Sequence, residues 1–154
     1  MRLSLLLLVA GLPFVLTQTL AADVVVIGQS DTSGINITPD GVLQHHGKTL
    51  ATILPEGDIR RQRDLVGKIS ASGAIRLSGR PSVKLGPDGM IHQRGEIVGR
   101  ISKSGHISRL GVPWGRAHGC YGVVAFDQRQ HVLVYLALLT DFLPSSSRSR
   151  TESP

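Results

Sequence analysis

The chain has 154 residues, a formal net charge of +6 at pH 7, 18 glycines and one cysteine. A single cysteine excludes an intramolecular disulfide, and 4% aromatic content argues against a nucleic-acid module built on base stacking. The positive balance suits anionic partners such as phosphate-bearing glycans, nucleic acid or acidic lipids, or serves solubility alone.

Residues 1–22 begin with Arg2, continue as an apolar run from Leu3 to Leu16, and end in small residues from Thr19 to Ala22. That order predicts a cleavable signal peptide and an exported protein, periplasmic or secreted. The run is shorter than the roughly 20 residues of a membrane span. No cysteine follows it to carry a lipid anchor. Cleavage after Ala21 and after Ala22 both fit the pattern.

Residues 23–40 open with "DVVVIGQSDTSG", a strand running into glycines in the manner of a nucleotide-binding fold. No complete G-x-G-x-x-G or phosphate loop follows, and "INITPDG" continues as strand and turn rather than helix. The segment is expected to be an N-terminal cap strand that covers a sheet edge.

From Gly41 to Cys120 the chain divides without gaps into five units of sixteen residues, starting at Gly41, Gly57, Gly73, Gly89 and Gly105. The third position is always aliphatic: Leu43, Ile59, Ile75, Ile91, Ile107. The seventh is Gly47, Gly79, Gly95 or Gly111, with Arg63 in the second unit. The eleventh is small or compact, including Gly67, Gly99 and Gly115. The twelfth is basic four times, as Lys68, Lys84, Arg100 and Arg116. Turn signals such as "QRGE" and "GPDG" fall at the middle and end of each unit, with short runs of Ile, Val and Leu between them. Each unit is therefore predicted to be one β-hairpin, and residues 41–120 an all-β antiparallel meander.

A strand alternates faces, so positions nine, eleven and thirteen share one side and ten and twelve the other. A glycine on the buried side, as at Gly67, Gly99 and Gly115, marks crowded backbone. Position ten (Leu50, Val66, Ser82, Val98, Trp114) is mostly apolar yet falls on the basic side. Two explanations fit: a bulge beside the glycine, or a second layer over that side.

A motif of the form G-x-I-x-x-x-G-x-x-V-G-[KR]-I, carried by "GEIVGRISKSGHI" and "DLVGKISASGAI" behind a signal peptide, resembles the five-fold β-flower proteins of bacteria. The last unit, "GHISRLGVPWGRAHG", is similar to that family's degenerate final repeat. The resemblance covers residues 41 to about 126. It implies hairpins arranged radially about an axis and no established biochemical activity. MORN-type repeats fit less well, because they are rich in Tyr and Trp.

Residues 121–143 are expected to form C-terminal closing strands around a turn at Asp127 to Gln130, with the apolar run 132–139 offering an edge for self-association. Residues 144–154, "PSSSRSRTESP" from Pro144, have almost no apolar content and read as a disordered tail.

Chemistry is sparse. No Gly-x-Ser-x-Gly elbow is present, and Asp58, Asp64, Asp88 and Glu96 sit in or beside turns. His118, Cys120 and His131 would converge as a metal site only if the closing hairpin folds back, and no standard spacing frames them. Cys120 is buried, paired between chains, or reactive. The expectation is a non-enzymatic exported module of the cell envelope, structural or interacting, with no cofactor. The alternative is weak binding of an anionic envelope polymer through Lys68, Lys84, Arg100 and Arg116. Scarce aromatics rank such polymers above nucleic acid, and a metal-dependent enzyme comes third.

Overall fold

The computed structural model describes residues 23–29 and 34–144. Twelve strands follow one another: β1 (Val24–Gly28), β2 (Ile35–Ile37), β3 (Val42–His45), β4 (Lys48–Ile53), β5 (Asp58–Arg61), β6 (Asp64–Ile69), β7 (Ala74–Leu77), β8 (Val83–Leu85), β9 (Met90–Gln93), β10 (Glu96–Ile101), β11 (His106–Arg109) and β12 (Val112–His118). A 3-10 turn at Cys120–Gly122 leads to helix α1 (Phe126–Leu139). Each strand pairs antiparallel with the next, and β1 pairs with β12, closing the meander into a barrel. The five repeats are the hairpins β3–β4 to β11–β12.

The N-terminal segment is more than the single cap strand expected. β1 and β2 form a sixth antiparallel pair, with Val25 opposite Asn36 on one side and His118 on the other. They lack the repeat's glycine and basic positions, which is why the pattern hid them. Closure through them satisfies both edges that an open array of five hairpins would expose.

Local geometry follows the repeat. The first glycine of each unit lies at positive φ, from 79° to 90°. At Gly41 and Gly89 the space for a Cβ is taken by the carbonyl of Ile53 and Ile101, whose own N–H donates to that glycine's carbonyl. The alternation puzzle resolves as a bulge. The register jumps at Ile97/Gly99, and equivalent jumps leave Leu50, Val66 and Trp114 as the extra residue of their units. Val98 and Gly99 both turn inward while Ile97 and Arg100 face out.

The closing strands expected over 121–143 are absent. In their place α1 runs through the barrel, with residues 132–137 consecutively buried. Six successive buried positions cover every direction around a helix, so the wall surrounds it. Its neighbours lie around the ring: the Arg129 guanidinium donates to the Ile101 carbonyl of β10, and Arg80 after β7 donates to the Ala137 carbonyl. Beyond the helix, Phe142 meets Trp114 of β12 edge-on at 5.5 Å. The N-terminus of α1 is set by the Ala125 N–H donating to Gln128 Oε1 at 3.0 Å, with Asp127 favourable in the first turn. At its C-terminus Thr140 Oγ1 donates to the Leu136 carbonyl at 2.6 Å, beside the Arg80 contact. Because 132–139 fills the lumen, it offers no exposed edge for self-association.

The barrel thus has two ends. The entry end holds the turns between units, the start of β1 and the start of α1. The tip end holds the hairpin tips at Gly47, Gly79, Gly95 and Gly111, and there the helix leaves the wall.

Candidate functional site

The basic position of the repeat forms one outward-facing belt. Lys68, Lys84, Arg100 and Arg116 lie exposed on β6, β8, β10 and β12. The intervening strands contribute cations that the linear repeat only placed nearby. Arg76 is the cross-strand partner of Lys68, Arg60 is the partner of Thr52, and His92 is the partner of Lys84. Four successive strands, β5 to β8, therefore present Arg60, Lys68, Arg76 and Lys84 in a staircase. Lys68 and Arg76 are directly opposite on strands about 4.8 Å apart, and the steps to Arg60 and to Lys84 are each offset by two residues. Among the described residues the belt's one ion pair is Lys68 to Asp58 at 3.3 Å. Asp58 locally offsets the Lys68 charge, and the belt's remaining character is set by its other cations.

Gly67, Gly99 and Gly115 stand behind the belt, where the wall is tightest. A Cβ at Gly99 would lie 2.7 Å from both Phe142 and the Ser108 carbonyl. One at Gly67 would lie 2.5 Å from the Arg76 carbonyl, and one at Gly115 would strike the Ile27 carbonyl. The inferred crowding is real at all three. At Gly99 part of it comes from the segment after the lumen helix.

The metal candidates are not brought together. His118 faces outward at the end of β12, whereas His131 rides on α1 among the turns of Asp40, Glu56 and Ser70. The fold-back that would have joined them needed a strand where the chain forms a helix. Cys120 lies in the 3-10 turn, and its side chain is outside the description. Among the described residues no three of His, Cys, Asp or Glu gather as metal ligands.

Two clefts flank the helix. One of about 680 Å³ opens at the entry end, where His131 and Gln130 face Asp40, Glu56 and Lys68. Burial holds the His131 imidazole below its ordinary pKa, and Asp127 one turn earlier opposes that shift. The other, of about 720 Å³, lies at the tip end between Arg80, Arg109, Gln93 and Asp141. Sequence reasoning reached neither, because both depend on the helix lying in the lumen.

Fold and surface define the class: a closed barrel of hairpin repeats, plugged by a C-terminal helix and belted with cations. Compared with family models, curated proteins and solved structures, the chain matches none.

Proposed function

We propose that this protein is a non-enzymatic exported interaction module of the bacterial envelope, which binds anionic polymers along its outer wall. The observation that carries this reading is the outward-facing basic position of the repeat, Lys68, Lys84, Arg100 and Arg116, with Arg76 directly opposite Lys68 and Arg60 two residues along β5 from Lys68's partner Asp58. A repeating cation at fixed pitch suits a repeating anion, since each neutralised charge releases a counterion. Export is supported by the order of charge, apolar run and small residues in 1–22. Membership of the β-flower family is supported by the iterated motif and by hairpins set around one axis, although six hairpins line the ring here rather than five.

The test is retention on teichoic acid, lipopolysaccharide and heparin. Binding should fall steeply with added salt, and Lys84→Gln with Arg100→Gln should weaken it while leaving the melting temperature unchanged. No retention on any of these polymers at about 0.15 M salt, where screening acts over about 8 Å, leaves the purely structural module as the surviving reading. Mass spectrometry of protein from the native host should find an N-terminus near Asp23; an intact Met1 would sink the export reading.

A further inference from the structure

The two ends of the barrel differ in charge. At the entry end Asp23, Asp40, Glu56, Asp88 and Asp127 are balanced by Lys103 and by the belt cations Lys68, Lys84, Arg100 and Arg116, which pair with the first residues of β5, β7, β9 and β11. The tip end carries Lys48, Arg61, Arg63, Arg80, Arg94 and Arg109, with Asp64, Glu96 and Asp141 in the minority. The tip end exposes the aliphatic side chains of Leu110 at 66%, Val112 at 64%, and Leu65 and Ile97 at 56% each, while the entry end exposes Val123, Tyr121 and Phe126. Ile97 and Leu110 line one shallow cleft on the outer wall.

Leu110 is an exposed aliphatic residue in a turn position with positive φ. It lies at φ 49° beside Gly111 at φ 82°, the pair of left-handed residues that a tight hairpin turn requires. Asn or Gly normally takes the first of these places, because a bulky side chain is strained there. Leucine also gains nothing from burial, being two-thirds exposed. His46, Gln62 and Arg94 take the same place in their own tips at φ 49° to 58°, so the strain belongs to the turn, and what is peculiar to this tip is the exposed aliphatic side chain there. The tips are convex, since a Cβ at Gly47, Gly79, Gly95 or Gly111 would meet nothing within 4 Å. Separate convex tips bearing aliphatic side chains on a cationic ground need a soft, negatively charged receiver rather than a flat protein face.

We infer that the tip end docks on the surface of a bilayer rich in anionic lipid, with Leu110, Val112 and Ile97 entering the headgroup layer. Arg61, Arg63 and Arg94 face the phosphates, because cations outnumber acids at the tip end and not at the entry end. The inference uses residues outside the belt and stands whether or not the belt binds a polymer.

The experiment is co-sedimentation of the full chain with vesicles of equal phosphatidylglycerol and phosphatidylcholine, and with phosphatidylcholine alone. Retention on the anionic vesicles should exceed that on the neutral ones. Leu110→Asn restores the residue preferred at that φ, so its melting temperature should hold or rise while vesicle affinity falls about tenfold, the weight of one aliphatic side chain. Arg94→Gln should lower affinity about fivefold, the weight of one cation near such a surface. The belt variant Lys84→Gln/Arg100→Gln should keep vesicle binding, which separates failure here from failure of the polymer reading. Equal retention on neutral vesicles, or affinity insensitive to Leu110→Asn and Arg94→Gln, overturns the proposal. So does a mass that grows with protein concentration, disappears in Leu110→Asn and needs no lipid, because a second copy would then be the occupant.

Discussion

Gly115 leaves no space for a methyl group, since the wall strand β1 crosses it through the Ile27 carbonyl and the Gly28 Cα. Gly115→Ala should therefore cost about 1–3 kcal/mol, as overpacking does. Gly47 also has positive φ, but open space surrounds it, so Gly47→Ala should cost only the backbone strain of about 1 kcal/mol. Chemical denaturation of both variants checks the order, and equal losses would mean that β1 does not press on Gly115. His131 carries the pH dependence. Its folded pKa lies below the ordinary 6.5, so both states are neutral above that value and stability is full. As pH falls from 6.5 toward the folded value, the unfolded chain takes up a proton that the folded chain resists, and stability declines. His131→Gln should flatten this slope in denaturant midpoints taken between about pH 7.5 and about pH 5.

At the scale of elements, α1 is held by its apolar girth rather than by one amphipathic face. Leu136 is fully buried, and Leu136→Ala should cost about 2–5 kcal/mol. Arg129 is the contrary case. It is 3% exposed, its Nε has no partner among the described residues, and its guanidinium lies 5.5 Å over the Phe126 ring. Arg129→Met keeps most of the volume and removes a buried charge, so its melting temperature should match or exceed that of the wild type. The repeats were legible because a hairpin's needs recur in place: glycine where φ is positive, an aliphatic residue inward, a cation outward. The helix was not legible, because "HVLVYLALL" is apolar on all sides and a short run of that kind suits a buried strand equally well. Only encirclement by a closed wall decides the matter, and that information lies in β1 and β12, more than eighty residues apart. The belt was half legible. Its twelfth-position cations could be counted along the chain, but the pairing of Lys68 with Arg76 required the register. The tip-end polarity required the topology as well.

The whole molecule has one shared interior, built from the third position of every hairpin and from α1. Leu43, Ile59, Ile75, Ile91 and Ile107 are each at most 1% exposed, and they line the lumen that the helix fills. A chain ending after Gly122 should keep its hairpin sequences yet lose the cooperative thermal transition, as measured by calorimetry. A sharp, reversible melt in that truncated chain would show that the wall is stable without its plug. The position of α1 after every strand also governs the timing of folding. A chain that emerges N-terminus first, from a ribosome or through a pore, can close each hairpin as it appears, because those contacts are local. The join between Val25 and His118 must wait for the last repeat, and the interior must wait longer still, for the residues that enter last. The emerging chain is thus a string of loosely held hairpins that a narrow channel can pass, and commitment to the native state comes in a single late step.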